Sequence, residues 1–350
     1  MDVIKKDEST VESRMATLDE VRLQESIEVA LEPDLPIIDP HHHLWDFPKH
    51  RYLLDDLLRD TGSGHRIEQT VFIECAVFYR PDTSSAMRVV GEVEFVNGIA
   101  AMAASGRYGP TKVCAGIVGM ADLTLGARVI DVLEAQINTC GGRFKGIRHC
   151  AGWEDKTKEI HVSHNNPPPG LYRDHIKFRE GFAKLGELGL TFDAWLYHTQ
   201  LEDLIHLAQT FPAQPIVLDH VGGPMRLGYY AQNADEEFQA WRTKIIELSH
   251  CENVSIKLGG LGMRLNGFGF DTRARAPSSD ELADAWKPYI DTCIAAFGPQ
   301  RCMFESNFPV DKISGSYVNY WNAFKKLAAG ASDEEKGNLF KGTAKRFYGL

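Results

Sequence analysis

The chain has 350 residues, 43% hydrophobic and 25% charged, with 31 glycines, 16 prolines and a formal net charge of −10. This length suits one large α/β barrel or two ordinary domains. The acidic balance, with no Lys/Arg cluster, argues against a nucleic-acid or anionic-membrane surface, and no apolar run reaches membrane-spanning length.

In chain order, residues 1–15 are polar and charged, lack an apolar signal core and read as disordered. Residues 17–31 carry apolar positions at helical spacing and predict a short surface helix, ended by Pro33 and Pro36. Residues 1–33 are therefore expected to form an N-terminal helical extension and residues 34–350 a single domain. Eight short apolar runs follow: PIIDPH, QTVFIECAVF, KVCAGIVG, RFKGIRH, LTFDAWLYH, PIVLDHV, NVSIKLGG and RCMFESNF. Most are separated by stretches with helical periodicity, such as SAMRVVGEVEFVNGIAAMAASG and ADAWKPYIDTCIAAFG. Strands apolar on both faces and joined by helices imply a parallel sheet, and eight such units fit a (β/α)8 TIM barrel. The connections 152–175, 222–234 and 260–280 are long; in a barrel, loops after strands build the catalytic face. Seven dispersed cysteines without a Cys-x-x-Cys pair suit reduced thiols and a cytoplasmic location.

The first run ends in Asp39-Pro40-His41-His42-His43. Alternation on a strand sends His41 and His43 one way and His42 the other, so two imidazoles aim at one point, a metal-ligand geometry for a zinc-like ion. His149, His198 and His220 stand at the ends of the fourth, fifth and sixth runs. Singly each is as readily a packed or capping histidine; together at one barrel mouth they are hard to explain as packing.

These residues carry a resemblance. IIDPHHHLWD at 37–46, FKGIRH at 144–149, FDAWLYHTQL at 192–201, IVLDHVGGP at 216–224 and ESNFPVD at 305–311 resemble the amidohydrolase superfamily, in the branch of lactonases and aromatic-acid decarboxylases. The resemblance implies a (β/α)8 barrel holding one divalent metal, zinc or alternatively manganese. His41, His43 and His198 would be its ligands, and His220 would polarise a carbonyl or shuttle a proton. The family usually has an aspartate at the end of strand 8 as metal ligand and general base; here that position is Asn307. An amide ligates weakly and cannot take a proton at neutral pH. Either Asn307 orients a water, or a carboxylate among Asp311, Glu305 and Glu74 takes over. Some relatives in this branch work without a metal.

For the substrate, Arg148 offers a bidentate anchor for a carboxylate, against the alternative of an ion pair. His149 and Glu74 stand beside it, and Trp45, Tyr79, Trp195 and Tyr197 either line a pocket or belong to the core. Lys257, mid-strand, needs a partner; Glu305 is one and a substrate the other. Asp219 fixes a loop or a histidine tautomer, or caps a helix. Gly62 and Gly64 lie in TGSGH, which lacks a phosphate-loop pattern, and no Gly-x-Ser-x-Gly elbow occurs. The expectation is a metal-dependent hydrolase of the lactonase type, acting on a small carboxylated cyclic ester. The alternatives are a non-oxidative decarboxylase of an aromatic or unsaturated acid, and a non-catalytic barrel that binds small acids. By analogy with relatives the chain is expected to form a homodimer.

Overall fold

Eight β-rich runs become eight parallel strands: β1 (Pro36–His42), β2 (Arg66–Ile73), β3 (Lys112–Gly119), β4 (Phe144–Arg148), β5 (Thr191–Ala194), β6 (Ile216–Leu218), β7 (Val254–Leu258) and β8 (Cys302–Phe304). The computed structural model describes residues 18–47, 50–81, 83–160 and 163–350. Each strand pairs with the next in sequence order. Beyond β8 the ring closes on β1: His43 N–H donates to the Phe308 carbonyl at 2.8 Å and Asn307 N–H to the His41 carbonyl at 3.0 Å. Helices such as Val90–Ala104, Ile176–Glu187, Ala234–Ser249 and Ser279–Phe297 make the crossovers. The architecture is a (β/α)8 barrel.

Period-2 alternation sorts the strand residues into two apolar layers. Ile37, Phe72, Ile117, Ile147, Phe192, Ile216, Ile256 and Phe304 pack outward against the helices. Ile38, Val71, Ile73, Val118, Val217 and Met303 fill the lumen, where Ala344 and Tyr348 of the C-terminal helix Thr343–Tyr348 join them. The same parity directs Arg148, Asp193, Lys257 and Glu305 into the lumen, all 5% exposed or less. Burying an ion costs several kcal/mol, roughly, unless it is paired, so these four must find one another or their neighbours.

The helix expected over 17–31 is confined to Glu20–Gln24, where the Asp19 side chain caps Arg22 N–H at 3.0 Å. Beyond it the chain lies on the helix Tyr317–Leu327. Glu28 N–H donates to Asn319 Oδ1 at 3.1 Å, Leu31 N–H to Asn322 Oδ1 at 2.7 Å, and Lys325 Nζ reaches the carbonyls of Leu31 and Glu32. These tertiary partners satisfy the backbone groups that further helical turns would have satisfied internally. The disorder expected for 1–15 lies outside the described residues. All seven cysteines are buried free thiols, and no helix among the described residues is long and apolar enough to cross a membrane.

Candidate active site

At the end of β1 the three histidines separate, and a register shift between Asp39 and His42 puts His41 and His43 on the lumen side, opposite Ile37. His42 turns away, with Nε2 2.9 Å from Thr70 Oγ1, and burial pushes it down to about 3. His41 and His43 converge, with their Nε2 atoms 3.3 Å apart. His43 Nδ1 is 2.8 Å from the Ile73 carbonyl, and its ring stacks on Trp45. His41 Nδ1 has Glu305 Oε2 at 2.8 Å and Lys257 Nζ at 3.1 Å, so its Nε2 is the nitrogen turned towards His43. Burial holds both imidazoles well below their usual range, reinforced by Lys257 at His41 and by Arg148 at His43, so both rings are neutral. Asp39 below them accepts from Ser306 Oγ at 2.6 Å and Tyr317 OH at 2.9 Å, bracing β1 against the chain after β8.

Glu305, fully buried just past β8, holds a second histidine. Its Oε1 accepts from His220 Nδ1 at 2.7 Å and from His220 N–H at 3.1 Å. His220 Nε2 is therefore the free nitrogen, and the ring lies 4.5 Å from His41 and 4.7 Å, edge to face, from Trp195. His220 and Val221 adopt left-handed backbone, φ 55 and 47, in the tight turn that lifts the ring off β6. Gly260 lies directly over it: a Cβ there would stand 2.4 Å from the ring.

Two cations are threaded among four carboxylates. Arg148 donates from Nε to Glu74 Oε1 at 2.8 Å and from Nη2 to the Glu74 carbonyl. Its Nη1 stands 3.5 Å from both Asp219 Oδ2 and His41 Nε2. Lys257 Nζ bonds Asp193 at 2.6 Å and Asp219 at 3.0 Å, and Tyr348 OH donates to Asp193 at 2.7 Å. Burial raises Asp193 to about 6, against the pull of Lys257. At Asp219 burial is outweighed by Lys257, His220 and Arg148, which hold it below the usual carboxylate range. Glu74 is likewise held low against its burial by His164 and Arg148, with His164 Nε2 3.3 Å from Oε2.

Several expected groups do not join this cluster. His198 Nδ1 accepts from Met225 N–H at 3.2 Å and its Nε2 lies 2.9 Å from Glu237. Both nitrogens are thus already engaged, one by the loop after β6 and one by a helix, because the strand ends at Ala194 and His198 falls in the turn beyond it. His149, one step past the inward Arg148, points outward; it accepts from Leu123 N–H and packs on Phe178, and burial brings it to about 4. Tyr197 packs with Ile160, Met225 and Tyr230, and Tyr79 is half-buried against the helical layer. Arg148 is not a free bidentate fork, since Glu74 takes two of its donor groups. Lys257 is bonded to Asp193 and Asp219 rather than to Glu305. Asp219 is a partner of both cations. Asp311 is not free to act as a base: Oδ1 accepts from Asn307 Nδ2 and Oδ2 from Gly262 N–H, each at 2.8 Å, and burial raises it to about 7. Asn307 Oδ1 is buried with no hydrogen-bond partner among the described residues. Two members escaped the sequence reading. Asp193 signals itself as a carboxylate inside an apolar strand, in parity with Lys257; His164 sits in a loop with no local signal.

The donor set suits a divalent cation. Two imidazole nitrogens on one tetrahedral zinc, with bonds of about 2.0–2.1 Å, lie about 3.3–3.4 Å apart, the separation found between His41 and His43. Donor atoms of His41, Asp219 and His220 also lie within 4.8 Å of one another. Glu74, Asp193, Asp219 and Glu305 outnumber Arg148 and Lys257 by two negative charges (four minus two), which a divalent ion would balance.

A family model described as amidohydrolase matches residues 38–350. A protein of Sinorhizobium fredii, y4mH, described as uncharacterized, is 31% identical over 329 residues, covering 90% of this chain and 99% of its own length. An L-fucono-1,5-lactonase of Burkholderia multivorans is 28% identical over 237 residues, 67% of this chain and 72% of that protein. Among solved structures, an amidohydrolase of Burkholderia multivorans with bound zinc has the same fold, with TM-score 0.67, 24% identity, and coverage of 90% of this chain and 99% of the other.

Proposed function

The chain belongs to the amidohydrolase family, and on that premise we propose that it opens a small hydroxylated lactone by adding water to the ring carbonyl. The observation that carries this reading is the buried pair His220–Glu305, 2.7 Å apart, which leaves Nε2 as the ring nitrogen available to take a proton. Glu305 fixes the tautomer and faces the imidazolium that forms, the relation a general base needs. His220 takes a proton from water as the oxygen attacks the carbonyl carbon. The same ring then returns the proton to the departing ring oxygen, leaving a hydroxy acid. Arg148 Nη1, the donor group not consumed by Glu74, stands 3.5 Å from Asp219 and His41 and would donate to the oxygen on which negative charge develops.

Asn307 supports the same reading. Its Nδ2 is committed to Asp311, so its unpartnered Oδ1 is an acceptor for a water or a substrate hydroxyl. His41 and His43, with Asp219 alongside, would hold a zinc ion; when bound it supplies Lewis-acid polarisation of the carbonyl. The relative named L-fucono-1,5-lactonase supports a sugar-acid lactone as the substrate class.

The test is a panel of sugar-acid 1,4- and 1,5-lactones beside hydroxybenzoates, followed by acid release with a pH indicator and by carbon dioxide release. Ring opening that is lost in His220→Asn supports the proposal. Carbon dioxide from a hydroxybenzoate with no lactone opened, or full lactone turnover in His220→Asn, overturns it.

A further inference from the structure

The N-terminal segment lies outside the barrel, yet one of its side chains reaches the loops that roof the site. Arg22 is 8% exposed. Its Nη1 donates to the Phe270 carbonyl at 3.0 Å and its Nη2 to the Ile313 carbonyl. Phe270 belongs to the loop after β7 and Ile313 to the turn after β8. On their inner side these two segments are already joined. Gly262 N–H donates to Asp311 Oδ2 at 2.8 Å, and Ser314 Oγ donates to the Gly262 carbonyl at 2.6 Å. From that junction one step leads to each functional side chain. Asp311 Oδ1 holds the Asn307 amide at 2.8 Å, and Gly260, two residues before Gly262, covers the His220 ring with no room for a Cβ. A guanidinium suits this place because its planar fork serves two diverging acceptors at once, and buried carbonyls outside a strand ladder need such donors.

We propose that Arg22 is a positioning residue for the active site. By tying the β7 and β8 loops together from outside, it keeps Gly260 over His220 and keeps Asp311 on the Asn307 amide. The functional half of this inference rests on the proposed roles of His220 and Asn307.

The test compares Arg22→Ala, Arg22→Lys and a control, Glu28→Gln. Glu28 anchors the same segment to Ser279 and Asn322, at the start of one helix and within another. Amide hydrogen exchange is read over 259–272 and 305–316, and kcat and KM are read on the lactone the wild type opens. Arg22→Ala is expected to speed exchange in both segments and to lower kcat about 10- to 100-fold, the scale of a small misplacement of reacting groups, with KM changed less than about threefold. Arg22→Lys, which still reaches a carbonyl, recovers part of kcat. Glu28→Gln lowers the melting temperature but leaves kcat and loop exchange at wild-type values. Unchanged exchange in Arg22→Ala, or a kcat loss in Glu28→Gln equal to that of Arg22→Ala, overturns the inference. A wild type that opens no lactone defeats the proposed function instead, and the exchange readout still decides whether Arg22 orders the loops. Should Arg22→Ala fail to fold, Arg22→Lys at wild-type kcat and exchange, together with a folded Arg22→Gln also at wild-type values, overturns it equally.

Discussion

Replacing Glu305 by glutamine keeps the shape of the side chain and removes its charge. In the wild type, Oε1 receives both His220 Nδ1 and His220 N–H, while Oε2 stands 2.8 Å from His41 Nδ1. Glutamine must place its oxygen on one histidine and its NH2 on the other. If the NH2 faces His220, the ring is driven to the wrong tautomer and Nε2 no longer accepts a proton. If it faces His41, His220 keeps its tautomer but loses the anion that stabilises its protonated form. For unit charges about 4 Å apart at an effective dielectric near 20, that stabilisation is about 4 kcal/mol. At 1.36 kcal/mol per decade this is roughly a thousandfold in rate, inside the 10²–10⁴ range typical of general-base catalysis. Initial rates of lactone opening, measured on protein with the metal content of the wild type and a folded melting transition, should fall by about that factor in kcat. A Glu305→Gln enzyme within about threefold of wild-type kcat would refute the dyad, whatever happens to KM.

Other outcomes follow from the same geometry. His41→Ala or His43→Ala should reduce zinc retained on dialysis at least about tenfold, whereas His198→Gln should retain it, because His198 is bound to Glu237 and Met225; elemental analysis reads the difference. Lys257→Met should destabilise the fold by about 3–5 kcal/mol in urea, since it leaves Asp193 and Asp219 buried without their cation. Asp311, raised to about 7 by burial, holds its proton more tightly folded than unfolded, so its contribution is present at acidic pH and is lost as pH rises towards and through 7. Asp311→Asn should therefore gain stability relative to wild type on going from pH 5 to pH 8, by about 2–3 kcal/mol; a difference that is flat over this range would contradict the buried assignment.

The strands were legible because burial on both faces writes an uninterrupted apolar run, and all eight runs became strands of the barrel. Parity was legible too, although only partly used. It separates His42 from His41 and His43, and it sends Arg148 inward and His149 outward, so pairing the last two at the mouth went beyond what alternation permits. Asp193 and Lys257 stand out as charges in apolar strands, but the partner of each depends on which strands become neighbours across the lumen. His198 was misplaced because β5 is shorter than its apolar run; once the strand ends at Ala194, direction is set by the turn and by Glu237 on a distant helix.

Sequence alone determined the barrel, the paired histidines at the end of β1, and, through the family resemblance, the amide where relatives carry a strand-8 carboxylate. These are properties of spacing and residue type, which local chain geometry converts directly into position. Only the tertiary structure decided that Glu305 serves His220 and His41, that Glu74 occupies Arg148, and that Arg22 reaches two loops 248 and 291 residues away. Charge pairing in a lumen is a contest among all ions within a few ångströms, and closure of the ring, which no local pattern encodes, chooses the contestants.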